Sequence, residues 1–162
     1  MKQSKGLFLA CLFALLGLYS CDTIDCTLNN TVAMYCNFYQ DSKLTSINDT
    51  LSITAANTSV VLLNRQLKTS SMALSLSYSY PEDTLLLNVS GDGYTITDTL
   101  WIEKTSTTHF ESPDCPVNMF HKITGVRSTH MFIDSVTITR PDVDYLQDEN
   151  IQIHFYPSVD VD

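Results

Sequence analysis

From residue 31 onward the chain alternates apolar and polar side chains with a period of two, the signature of strands with one buried face. Val32, Met34, Cys36 and Phe38 share one side of a strand predicted over 31–40. Leu74, Leu76, Tyr78 and Tyr80 share one side of another over 72–80, whose opposite side is serine. The same period predicts strands over 50–55, 59–63, 84–90, 94–104, 117–124, 131–140 and 151–156. Turn-forming clusters separate them: Tyr80-Pro81-Glu82-Asp83, Ser112-Pro113-Asp114 and Arg140-Pro141-Asp142. Ser90-Gly91-Asp92-Gly93 reads as a hairpin loop, because its glycines can take positive φ. No stretch has the period of a long amphipathic helix, and one short helical turn is expected near 143–150. About nine short strands without crossover helices predict an all-β fold, an antiparallel β-sandwich of immunoglobulin-like or Greek-key type.

The first residues follow a different rule. Lys2 and Lys5 precede an apolar run from Leu7 to Leu18, and Tyr19-Ser20-Cys21 closes it. That order marks a secretion signal whose cleavage leaves Cys21 first. A cysteine there resembles the lipobox of bacterial lipoproteins, although Tyr19 is larger than most lipoboxes carry. The run falls short of the about 20 residues a bilayer-spanning helix needs. Acylation of Cys21 with three chains would anchor stably where one chain holds only marginally. The expected organisation is a lipoprotein signal peptide (1–20), a lipidated tether (21–30) and one β-sandwich domain (31–162).

Charge narrows the partners. The 162 residues carry a net charge of −9, and loss of Lys2 and Lys5 leaves 7 basic residues against 18 acidic ones, or −11. Nucleic acid is excluded as a partner, since phosphate neutralisation needs clustered Lys and Arg. Anionic membrane surfaces should repel such a body, so attachment falls to the lipid. Three cysteines remain once Cys11 leaves and Cys21 is acylated. Cys36 lies on the apolar side of its strand and reads as a buried, free thiol. Cys26 and Cys115 both lie in turn-like polar sequence, and an oxidising compartment favours a Cys26–Cys115 bridge.

The strand pattern, together with Thr97-Asp98-Thr99-Leu100-Trp101-Ile102, Ser112-Pro113-Asp114-Cys115 and the segment from Phe132 to Ile138, resembles a family of small uncharacterised lipoproteins of Bacteroidota. The likeness spans Cys26 to about Tyr156 and implies a location and a fold without a mechanism. That group of bacteria O-glycosylates proteins at Asp followed by Ser or Thr and then a small or apolar residue. The resemblance thereby makes Thr50, Thr84, Thr99 and Ser135 candidates, beside Asp22-Thr23-Ile24. The plainer reading of each Asp-Thr pair is a turn entering a strand.

Candidate chemistry is sparse. His109, His121, His130 and His154 are the only side chains that titrate near neutral pH without help. No Gly-X-Ser-X-Gly, His-Glu-X-X-His or Cys-X-X-Cys occurs. His121 and His130 flank 124–129, which reads as a turn, so they would face solvent or meet across a hairpin. The acidic stretch with Asp142, Asp144, Asp148 and Glu149 is the one candidate for a cation such as Ca²⁺. Leu146 and the missing glycine break the EF-hand pattern, and a solvated loop is the plainer reading. Trp101 reads as a core residue, with stacking on a sugar ring as the alternative.

These readings converge on a non-enzymatic protein without cofactor, lipid-anchored in the cell envelope. The outer membrane is favoured, with Asp22 and Asp25 bearing on sorting between membranes. An accessory or scaffold role with an envelope protein partner is expected, and a glycan- or calcium-binding module is the alternative.

Overall fold

Alternation places every second side chain on one face, and two such faces close on each other here. The computed structural model describes Cys26 and residues 31–157, and among these it contains eleven strands and no helix. In chain order they are β1 (Met34–Gln40), β2 (Lys43–Leu44), β3 (Thr50–Ala55), β4 (Val60–Gln66), β5 (Ser71–Leu74) and β6 (Glu82–Gly91). β7 (Tyr94–His109), β8 (Asn118–Ser128), β9 (Ile133–Ile138), β10 (Asp142–Val143) and β11 (Glu149–Phe155) follow. The first sheet runs β2-β1-β11-β9, with β5 also on β1, and the second runs β10-β8-β7-β6-β3-β4. The architecture is the expected β-sandwich.

Its ladders are antiparallel except one. β1 and β11 pair in parallel, with Cys36 opposite Ile151 and Phe38 opposite Ile153. A period of two carries no strand direction, so the sequence pattern does not reveal this. Met34, Cys36, Phe38, Ile151, Ile153 and Phe155 face Leu51, Ile53, Leu85, Leu87, Leu100 and Ile102 across the core. The Phe38 and Phe155 rings lie 5.2 Å apart, within the range of favourable aromatic pairs. Cys36 is buried and free, as its strand position implies, and burial pushes its thiol pKa up.

Two buried polar side chains hold the crossings between sheets. Asp98, fully buried on the inner row of β7, receives six donors. Oδ1 accepts from the Thr99 and Thr129 backbone N–H groups and from the Thr129 hydroxyl. Oδ2 accepts from the N–H groups of Met131, Phe132 and Ile133 at 2.8–3.0 Å. The carboxylate thus pins the β8–β9 crossover. Burial alone would raise its pKa, but the bonds from Thr129, Ile133, Phe132 and Met131 outweigh it and hold the carboxyl below its ordinary range. Asn150 does the same neutral work at the other end. Its Oδ1 accepts from the Tyr35 N–H, and its Nδ2 donates to the Arg140 and Asp142 carbonyls.

Several local expectations change. The strand expected over 72–80 ends at Leu74, because 75–81 is hooked elsewhere. Ser77 N–H donates to Asp83, while Lys104 donates from Nζ to the Tyr80 carbonyl and from its backbone to Pro81. Tyr78 and Tyr80 are consequently exposed. The turn expected at 124–129 is strand: β8 runs through it, with a bulge opposite Glu103 and Lys104. The helical turn near 143–150 is absent among the described residues, and Asp142–Val143 forms a strand instead. Only Gly93 of the β6–β7 hairpin has positive φ (81°). Gly91 instead makes room: a Cβ there would sit 2.6 Å from the Tyr94 ring and oblige that exposed side chain to shift.

A folded pKa below the unfolded value makes Asp98 stabilising above about pH 3.9, and that contribution is lost as pH falls through the folded value. Asp98→Asn turns an amide NH₂ toward three donors, and is expected to cost about 3 kcal/mol or more at neutral pH. It should also soften the acid-side decline in stability. Urea midpoints at neutral and acid pH measure both effects.

Candidate functional site

The β7–β8 ladder is among the longest in the protein, ten residue pairs from Leu100 opposite Ser128 to His109 opposite Asn118. The loop that closes this hairpin, 110–117, carries Cys115, and Cys115 is disulfide-bonded to Cys26 with Cα atoms 5.6 Å apart. The bridge joins residues 89 apart, as their two polar turn contexts suggest. Next to it the His109 ring stacks on Phe120 with centroids 4.1 Å apart, and Tyr145 meets both rings edge-on. Asn118 Nδ2 donates to the Tyr145 hydroxyl at 2.9 Å. Burial, then Glu111, raises the Tyr145 pKa. Phe110, Val117 and Leu146, each next in sequence to a residue of this cluster, are exposed. Sequence reading missed the tip as a surface; its one signal was Phe110, outside any predicted strand, and Val117, the first residue of the strand predicted over 117–124, flanking the cysteine loop.

The inner face of the second sheet carries a buried ionic cluster. Lys104 Nζ lies 2.9 Å from Asp83, with the Lys104 side chain fully buried. His121, expected on a solvated strand end, is buried beside them, and its Nδ1 lies 2.8 Å from Ser106 Oγ. Burial lowers the His121 pKa, Lys104 lowers it further, and Asp83 opposes. A serine–histidine pair acts as nucleophile and base when a third group orients the imidazole. Here the Asp83 carboxylate serves Lys104 and the Ser77 N–H instead. His130 lies beyond the end of β8, with Nδ1 2.9 Å from the Asp134 carbonyl, so the structure does not bring it to His121. Near Asp83 a pocket of about 180 Å³ opens between the β3–β4 hairpin and 75–80, lined mainly by Ala55, Val60, Leu62, Leu76, Tyr80 and Leu85.

Trp101 corrects the core expectation. It alternates with buried Leu100 and Ile102, so it sits half-buried on the outer face of the sheet. The Arg127 guanidinium lies 4.0 Å over its ring, and Arg127 Nη2 donates to both Glu82 oxygens. One face of the indole is therefore already stacked. Thr84 pairs with Trp101 across the ladder, and Thr99 lies two residues away on the same outer face. Their preceding aspartates, Asp83 and Asp98, are the buried groups described above, which is the structural meaning of these Asp-Thr pairs. Thr50 is half-buried at the start of β3, and Ser135 is exposed on β9.

The acidic stretch does not form a cation cage. Asp144 pairs with Arg140 at 3.1 Å, and Glu149 accepts from Asn37, Tyr39 and Gln152 on the first sheet. Asp142 lies in β10 opposite Lys122, and Asp148 is exposed. Among the described residues no three His, Cys, Asp or Glu side chains stand close enough to hold a metal. Cys21, Asp22, Thr23 and Asp25 lie outside the described residues.

A family model described as a family of unknown function, DUF6452, matches residues 50–155, from the first residue of β3 to the last of β11. No curated protein and no solved structure matches the chain.

The buried pair gives a test of its own. Lys104→Met leaves the Asp83 charge buried without its partner and is expected to cost about 3–5 kcal/mol, while the double variant Lys104→Met/Asp83→Leu should cost less than either single change. Urea unfolding of the three variants measures the coupling, and simple additivity would show that the two charges act independently.

Proposed function

The chain belongs to DUF6452, a family of unknown function, and we propose that this member is a lipid-anchored, non-enzymatic cell-envelope protein. It acts as an accessory or scaffold component that presents a rigid β-sandwich beside a membrane, with the outer membrane favoured. The observation that carries the reading is the position of Cys21: it ends an apolar leader and stands five residues before Cys26, which is covalently tied to the β7–β8 hairpin. Acylation at Cys21 would hold the fold itself close to the bilayer, not a long free linker. A disulfide also suits an oxidising compartment outside the cytoplasm.

The chemistry of the folded part agrees with a supporting role. The Asp98 carboxylate and the Lys104–Asp83 pair are spent on holding loops. The net charge of −11 after signal removal opposes binding to nucleic acid or to anionic lipid. A protein partner would then meet the sandwich faces, while the lipid supplies membrane affinity.

Cys21→Ser tests the anchor. The expected result is loss of the acyl mass and release of the exported protein from the membrane fraction. A variant that still fractionates with membranes at unchanged mass would overturn the reading. For the scaffold role, crosslinking on intact cells followed by purification should recover a defined envelope partner with the wild type and lose it with Cys21→Ser.

A further inference from the structure

We propose that the tip of the β7–β8 hairpin seats directly on the surface of a zwitterionic phospholipid bilayer, with Phe110, Val117 and Leu146 as the contacting side chains. This rests on the lipid anchor proposed above and adds an orientation to it. Four residues lie between Cys21 and Cys26, and the five extended steps that join them span at most about 18 Å. Because Cys26 is bonded to Cys115, with Cα atoms 5.6 Å apart, Cys115 can stand no farther than that from the acylated cysteine, apart from the length of the bridge itself, and the rest of the 110–117 loop lies within a few residues of it. Part of this reach is taken up in crossing the headgroup layer, roughly 5–8 Å thick on each side.

The chain enters the fold at this same end. Tyr35, at the start of β1, donates its N–H to Asn150, whose side chain also holds the Arg140 and Asp142 carbonyls below the Tyr145 cluster. The three apolar side chains there are among the more exposed in the protein: Phe110 at 66 %, Leu146 at 57 % and Val117 at 49 %. They adjoin the His109–Phe120–Tyr145 stack and the disulfide, which tie both arms of the loop to the fold. Phe and Leu side chains at a headgroup boundary bury 5–10 Å deep in interfacial segments generally. Glu111 and Asp114 on the same loop set the lipid class, since they would be repelled by an anionic surface. The far end of β7, near Ile96, lies roughly 46 Å from Phe110 at strand rise, and so stays clear of the headgroups when the tip is seated.

The test uses the full lipidated protein in phosphatidylcholine vesicles with brominated acyl chains. Trp101→Phe removes the native indole, and Phe110→Trp or Ile96→Trp supplies a probe at one end or the other. The expected result is flotation with the vesicles, with blue-shifted emission and about twofold quenching for the probe at 110 and none for the probe at 96. Flotation without quenching at 110, or with equal quenching at both ends, overturns the orientation while leaving the anchor standing. Failure to float overturns the anchor, and the orientation with it. Adding Cys26→Ser and Cys115→Ser should keep flotation and weaken quenching at 110; unchanged quenching would overturn the part assigned to the disulfide.

Discussion

The carboxylate of Asp98 is the constraint on which the rest of the sandwich depends. At the end of β8 the chain must leave one sheet and start β9 in the other, and a crossing of this kind exposes backbone N–H groups to a dry interior. Three successive N–H groups, at Met131, Phe132 and Ile133, converge on one carboxylate oxygen, and Thr129 supplies donors to the other. An ionised acceptor forms stronger bonds than a neutral one, so a single charge satisfies the whole crossing. Without it the crossing would bury unpaired donors next to Phe132 and Ile133, both of which are core residues.

The same logic, with the sign reversed, holds the other end of β7. Its inner row reads Asp98, Leu100, Ile102, Lys104, so two apolar residues are bracketed by two buried charges of opposite sign. Lys104 takes Asp83 as its counter-charge and the Tyr80 carbonyl as acceptor, which fastens 75–81 over the open end of the core. The charges are therefore not stray polar positions in a strand. They mark where the sandwich stops being sheet against sheet and becomes sheet against loop.

That arrangement explains which parts of the fold were legible in the sequence. Stretches whose inner row is apolar are read almost to the residue: 50–55 coincides with β3, and 84–90 lies inside β6, stopping short of its buried Asp83. Where tertiary bonds override alternation the reading fails. The Leu74, Leu76, Tyr78, Tyr80 series keeps its period past the end of β5, because nothing local announces that Asp83 and Lys104 will claim the backbone at 77, 80 and 81. β8 reads as broken at Gly125 because glycine suggests a turn, yet Gly125 pairs with Glu103, the bulge falls at Thr124 and the strand continues. Trp101 has apolar neighbours on both sides in sequence, but those neighbours face inward and it does not. The disulfide was legible from the turn chemistry around both cysteines. The apolar tip beside it was not, since its side chains come from a loop and from the 144–148 stretch, which only the fold brings together.

The Cys26–Cys115 bridge also decides how the fold meets force. A pull arriving through the residues before Cys26 has two routes into the domain. One runs along the chain to β1, which holds β11 through a five-pair parallel ladder and shares its other edge between the short strands β2 and β5. The other route runs through the disulfide into the loop between β7 and β8, whose ten pairs sit inside the second sheet, flanked by β6 on one side. Through the bridge, load at Cys26 enters the β7–β8 loop directly, by a path of one disulfide bond. Load on that path acts on the ten-pair β7–β8 ladder, and the five-pair ladder of β1 bears only what the main chain carries.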